Sequence, residues 1–257
     1  MEEIIIKELK KIEQQFEVKI CFAVETGSRA WGTSSEDSDY DVRFIYLHTL
    51  DWYLSIDQKR DVIELPINEQ LDMNGWDLRK ALQLFKKSNP SLLEWLHSHI
   101  VYYEEFSLLK KMKKLESQLF QPKSALFHYL KMAKGSLKDS KQSISVNSKR
   151  CLNVIRPILA CKWIEKHNSF PPNELSLLIE QVINEEVVKF EIQSLIDRKV
   201  NRDQTSYKGK LSILQEFIDK EINHLEEYAA RQNVSKIVMS PHLDHLFREM
   251  LEEVWNK

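Results

Sequence analysis

Long apolar runs are missing from this chain. None approaches the roughly 18 residues that a membrane span requires, which excludes a bilayer-crossing helix and leaves no membrane partner to expect. Cysteine is scarce: Cys21, Cys151 and Cys161 are an odd set at wide spacing. That argues against a disulfide framework or a cysteine-based zinc site and fits reduced thiols in a cytoplasm. The opening segment MEEIIIKELKKIEQQ is too charged for a secretory signal and too rich in glutamate for a transit peptide, so a cytoplasmic protein is expected. Excess charge of one sign is also lacking. A net charge of −2 over 257 residues excludes indiscriminate adsorption to nucleic acid by the molecule as a whole. No repeat of fixed period and no low-complexity linker interrupts the chain.

What is present is the balance of an ordinary folded protein, 42% hydrophobic and 30% charged. Up to about residue 100 the pattern mixes helix and strand. EEIIIKELKKIEQQF has a helical rhythm, VKICFAV is a buried-strand run, and DVRFIYLH, DVIELPI and EQLDMNGWD read as further extended segments. The helix DLRKALQLFKK begins at Asp77, a good N-cap residue. Beyond SNPSLLEWLHS the chain turns almost wholly helical, with six segments spaced at three to four residues, ELSLLIEQVINEEVVKFEIQSLI among them. Pro157 is expected to kink or break the third of these. An α+β plan follows, with a mixed domain over 1–103 and an all-helical domain over 104–257 that closes a cleft. Charge is uneven as well. Residues 123–166 carry ten lysines and arginines against Asp139 and Glu165, a block able to face phosphates or to form a solvated helix face.

The most informative stretch is TGSRAWGTSSEDSDYD, residues 26–41. AVETGSRA reads as strand, tight turn and helix start. Gly27 permits close backbone approach, and the amides with the Ser28 hydroxyl suit phosphate oxygens. Asp39 and Asp41 enter the next strand two apart, so they share a face. Two such carboxylates repel unless a cation sits between them, and Mg²⁺ prefers oxygen ligands. DSDYD also copies the opening of a calcium loop, but the glycine and glutamate that motif needs are Val42 and His48 here, which excludes it.

Gly27-Ser28 followed by Asp39-x-Asp41 resembles the signature of the DNA polymerase β-type nucleotidyltransferase superfamily. The longer GSRAWGTSSEDSDYDVRFIY, with GWDLRKALQLFKKSNPSLLEWLHSHIVY and RPILACKWI, resembles one group within it, the RNA-ligase-associated (RlaP-like, YcgL-like) predicted nucleotidyltransferases. The resemblance implies an N-terminal polymerase β-type catalytic domain. It also implies transfer of a nucleoside monophosphate from an NTP, ATP foremost, to a hydroxyl or phosphate acceptor with release of pyrophosphate. Paired Mg²⁺ ions would stabilise the attacking and leaving oxygens. Asp39 and Asp41 would bind them, with Gly27 and Ser28 on the β- and γ-phosphates. A third carboxylate completes such a site. Asp72 is preferred, while Asp77 (more simply a helix N-cap) and Glu64 stay open, because a one-residue slip of register reverses all three. Arg29 after the turn, and Lys149 and Arg156 in the helical part, are the candidate cations for the triphosphate. The acceptor stays open between an RNA end, a small metabolite and a protein side chain.

Other features admit plainer readings. Trp31 could stack on a base, although a lone tryptophan in a short helix is more often packing. His242 and His245 share a helix face beside Asp244 without a third ligand nearby, and Ser240-Pro241 reads as a helix start. SYKGK (206–210) lacks the spacing of a phosphate-binding Walker loop and reads as a turn.

Overall fold

The computed structural model describes residues 1–65, 70–140, 148–203, 211–233 and 240–256, so the SYKGK turn lies outside the described residues. The elements in chain order are α1 (Glu2–Phe16), β1 (Lys19–Glu25), α2 (Gly27–Ala30), β2 (Tyr40–Leu47), α3 (Leu50–Tyr53), β3 (Val62–Glu64), β4 (Leu71–Asp77), α4 (Leu78–Lys86), α5 (Pro90–Leu96) and β5 (Val101–Glu104). The helices α6 (Leu108–Leu119), α7 (Pro122–Ser140), α8 (Ser148–His167), α9 (Leu175–Val182), α10 (Glu186–Val200), α11 (Leu211–Arg231) and α12 (Ser240–Trp255) follow. The class is α+β.

Chain contacts divide the molecule into two compact units. One comprises Met1–Ala30, Asp39–Phe120 and Lys236–Lys257, and the other Trp31–Ser38 and Gln121–Ser235. A linear division at residue 103 would group α6 and α12 with the later helices, whereas both belong to the unit that holds the sheet. The connection is concrete: the Ser107 amide donates to Glu253 at 2.8 Å, Trp255 Nε1 donates to the His48 carbonyl at 2.8 Å, and Phe247 packs edge-on against Tyr53 at 4.9 Å.

In this first unit five strands form a mixed sheet in the order β3-β4-β2-β1-β5. The strand β2 runs antiparallel to β1 and parallel to β4. On one face Val42, Phe44, Tyr46, Leu71 and Met73 pack with Ile5, Leu9 and Ile12 of α1, whose apolar residues recur at three to four positions for that purpose. The other face of β2 and β4 carries Asp41, Arg43, Asp72 and Asn74 in its first half. Gly75 is required by the core, since a Cβ there would overlap the buried ring of Phe44.

In the second unit α8 is the central helix, buried along Leu152, Val154–Cys161 and Ile164. A helix apolar on nearly every side must be surrounded, and α7, α9, α10 and α11 all pack on it. Its helical assignment runs straight through Pro157, contrary to the expected break. ELSLLIEQVINEEVVKFEIQSLI is two helices rather than one. Ile183 takes extended torsions and buries its side chain, and Glu185 stands at the N-cap position of a new helix without a side-chain cap bond, so α9 and α10 pack on α8 as separate helices. No helix among the described residues is long and apolar enough to cross a membrane.

Candidate active site

The end of β1, the turn at Gly27 and the start of β2 are held together by a short set of hydrogen bonds. Both the amide and the hydroxyl of Thr26 donate to the Asp41 carbonyl, at 2.9 and 3.0 Å. The Asp41 amide in turn donates to Glu25 Oε1 at 2.8 Å, and the Tyr102 hydroxyl donates to Glu25 Oε2 at 2.6 Å. Glu25 has no solvent exposure, and burial pushes its carboxyl above the usual range despite these two donors. A buried carboxylate survives only with its oxygens satisfied, and here they fix where Asp41 begins its strand.

Gly27 adopts a left-handed φ of 61°. A side chain is strained in that region, and a Cβ at this residue would also overlap Oδ2 of Asp41 and lie 3.0 Å from its Cγ. Ser28 follows, half-buried, in the single turn of α2. Arg29 donates from Nε to the Asp39 carbonyl at 3.3 Å and lays its guanidinium 3.7 Å over the Tyr40 ring. The turn is thereby tied to the carboxylate strand from both sides. The Asp39 side chain is exposed at the mouth of β2, and Asp41 is half-buried on the same face.

Parallel pairing places Asp72 directly beside Asp41. Glu64 is paired with Asn74 one strand further out, at the exposed edge, and forms an ion pair with Arg60. Asp77 lies five residues on from Asp72 and so points to the opposite face, buried, where it caps α4 by accepting from the Arg79 amide at 2.8 Å and from the Tyr53 hydroxyl at 2.6 Å.

Arg43, two residues after Asp41 on the same face, was not singled out in the sequence. Its Nη2 lies 2.7 Å from Asp72 Oδ2 and 3.3 Å from Asp41 Oδ1, while Nη1 donates to the Asp72 carbonyl at 3.0 Å and to the Val42 carbonyl at 3.1 Å. The spacing D-x-D-x-R on a strand was the signal that could have revealed it. Glu25 had one too, as an acidic residue closing an apolar strand immediately before the turn.

The remaining sequence candidates belong to the helical unit. Lys149 is exposed in the first turn of α8, and Arg156 is buried with its guanidinium 4.2 Å over the Trp31 ring. Trp31 is thus packed, and its carbonyl accepts from the Leu175 amide at 3.0 Å. Asp37 of the DSDYD run also belongs to this unit, where it forms an ion pair with Arg202 at 2.7 Å. Several cations of the basic block have structural partners. Lys162 meets Glu221 at 2.7 Å, Lys134 meets Glu226, and Lys123 and Lys166 donate to the carbonyls of Gln232 and Gln181.

The oxygen donors of Asp39, Asp41 and Asp72 are of the type a hard divalent ion takes. As they stand, no group of three or more His, Cys, Asp or Glu among the described residues is gathered closely enough to hold one. Arg43 is the cation between Asp41 and Asp72. The donor chemistry fits Mg²⁺, while the arrangement as it stands has two of the three carboxylates paired with the guanidinium.

These features place the chain among known proteins. It belongs to the RNA repair pathway DNA polymerase beta family (RlaP), whose model matches residues 1–249. A relative of similar length, the uncharacterized protein YcgL of Bacillus subtilis (strain 168), is 47% identical over 255 residues, covering 99% of this chain and 98% of its own. A solved nucleotidyltransferase-like protein from Exiguobacterium sibiricum 255-15 aligns with 95% of this chain and 79% of its own at 13% identity and a TM-score of 0.34, a likeness too loose to bear on fold or function.

Proposed function

We propose that this protein is a Mg²⁺-dependent nucleotidyltransferase that moves a nucleoside monophosphate from an NTP, ATP foremost, to an acceptor hydroxyl or phosphate. The acceptor oxygen bonds to the α-phosphorus, and a hydroxyl acceptor yields its proton to solvent, whereas an ionised phosphate attacks without one. The bond from that phosphorus to the β-bridging oxygen breaks, and pyrophosphate carries the electron pair away. The observation that carries this reading is the seating of the Gly27 turn on the Asp41 carboxylate, with Asp72 alongside in register. A phosphate-sized turn and the oxygen donors thus converge on one point. Gly27 and Ser28 hold the β- and γ-phosphates through backbone amides and the serine hydroxyl. Since α2 is a single turn, local donors rather than a helix dipole do this work. Arg29 orients the turn against Asp39. When bound, Mg²⁺ neutralises charge on the attacking and leaving oxygens. Asp39, Asp41 and Asp72 are the residues that would hold it. The RNA repair pathway named in the family's description makes an RNA end the first acceptor to try.

A second reading keeps the fold without turnover, as a nucleotide-binding regulatory module. The ion pairs that Arg43 makes with Asp72 and Asp41 favour it, because they occupy oxygens the transfer reaction would use. One experiment separates the two. The protein is incubated with Mg²⁺, each NTP and, first, RNA oligonucleotides bearing a free 3′-hydroxyl or a 5′-phosphate, then protein and small-molecule acceptors. Pyrophosphate release matched by a mass gain on the oligonucleotide supports transfer. Nucleotide-dependent thermal stabilisation without pyrophosphate, across RNA, protein and small-molecule acceptors, supports the binding module.

A further inference from the structure

Arg43 is placed where no surface arginine would be left by chance. All four of its short contacts go to one small area: two carboxylate oxygens and two strand carbonyls at the edge shared by β2 and β4. The guanidinium fork matches that geometry, with one nitrogen bridging Asp41 and Asp72 and the other fixed by backbone oxygens. The parallel register sets the two carboxylates side by side. Without a cation between them, they would repel.

We propose that Arg43 is a resident counter-cation that competes with divalent metal for Asp41 and Asp72. The inference deepens the transferase reading and rests on it for the identity of the incoming ion. A metal that uses both carboxylates must displace the guanidinium or share the site with a like charge a few ångströms away. Either course weakens its binding. Asp39, exposed at the start of β2 outside the Arg43 contacts, is the carboxylate where an ion first docks. Arg43 therefore sets a threshold: free metal binds weakly, and the negative charge of an NTP on the Gly27 turn offsets the penalty. The empty protein keeps Asp41 and Asp72 bridged by one positive charge, and metal and nucleotide load together.

The test counts metal rather than turnover. Mn²⁺ is titrated by electron paramagnetic resonance into wild-type protein, Arg43→Met, Arg43→Lys and Arg43→Met/Asp72→Asn, without nucleotide. Neighbouring charges shift ionic equilibria by one to three pK units, so Arg43→Met should bind Mn²⁺ on the order of tenfold to a hundredfold more tightly. Arg43→Lys keeps the charge and stays near wild type, and the double variant loses the gain. Arg43→Met binding no more tightly than wild type, while folded by circular dichroism, overturns the proposal. If that variant does not fold, ¹⁵N-labelled wild type decides. The Arg43 Nε resonance should move as Mg²⁺ and NTP are added together, and a signal unchanged at saturation overturns the proposal. Failure here with intact transfer leaves the function standing. A tightened Arg43→Met with no transfer by any form leaves the counter-cation standing and removes the reaction.

Discussion

Gly27 and Asp41 are in contact across fourteen residues of sequence: the missing side chain of one is the space occupied by the carboxylate of the other. The glycine turn and the acidic strand are therefore one construction, and replacing either residue disturbs both.

Gly27→Ala should lower stability by roughly 1–3 kcal/mol, since it combines a left-handed φ with displacement of Asp41. Gly32→Ala is the control. Its φ is 72°, and a Cβ there meets nothing within 4 Å, so it should cost about 1 kcal/mol from the backbone alone. Urea unfolding measures both. Thermal stabilisation by Mg²⁺ and NTP should vanish in Gly27→Ala and persist in Gly32→Ala.

Glu25 should tolerate an amide and not a truncation. Glu25→Ala leaves the part-buried Asp41 amide and Tyr102 hydroxyl without their acceptor, at about 1 kcal/mol for each unmet group. Glu25→Gln preserves an acceptor for one of them and should lose less than half as much. Denaturant midpoints of the two variants give the comparison.

The stability contributed by Asp77 should depend on pH in an unusual sense. Burial pushes its carboxyl up from 3.8 to about 6, ahead of the lowering effects of Tyr53, Arg79 and their hydrogen bonds. Between those values the folded protein keeps a proton that the unfolded chain has lost, so stability from this group falls as pH rises from about 4 to about 6 and is level above. Asp77→Asn retains a helix cap and removes the titration. The variant should gain on wild type by on the order of 2 kcal/mol across that interval in melts at stepped pH. A constant difference would contradict the assignment.

Gly75→Ala should cost roughly 1–3 kcal/mol by forcing the Phe44 ring from its place. The penalty should shrink in a Phe44→Leu background, because the two positions share one volume and their effects are not additive. Chemical denaturation of the four proteins closes that cycle.

Much of the fold was legible because it depends on local pattern. The rhythm of α1 marked its full length, EQLDMNGWD read as the extended segment that holds β4, and Asp77 announced the start of α4. The strand β5 was missed because it is an edge strand whose Val101 and Glu104 are exposed, so no burial pattern distinguishes it from a loop. Equally hidden was the return of α12 to the unit that holds the sheet, where it packs on α4. An amphipathic helix shows that it has a partner without showing which one. The site divides along the same line. Gly27, Ser28, Asp39 and Asp41 stand in one short motif. The relation of Asp72 to Asp41 and Arg43 depends on a parallel register between segments about thirty residues apart, and one step of slip would have sent Asp72 to the other face.

The central claim is that Asp39 and Asp41 serve transfer of a nucleotide. α-Labelled ATP, GTP, CTP and UTP are supplied in turn with Mg²⁺ and an acceptor mixture of RNA, protein and small molecules to wild type, Asp37→Asn and Asp39→Ala/Asp41→Ala. Label should enter one acceptor class with wild type and with Asp37→Asn, whose ion pair with Arg202 lies within the helical unit, and should be lost in the double variant while its fold persists. Undiminished labelling by the double variant, or no labelling by folded wild type with any nucleotide, would contradict it.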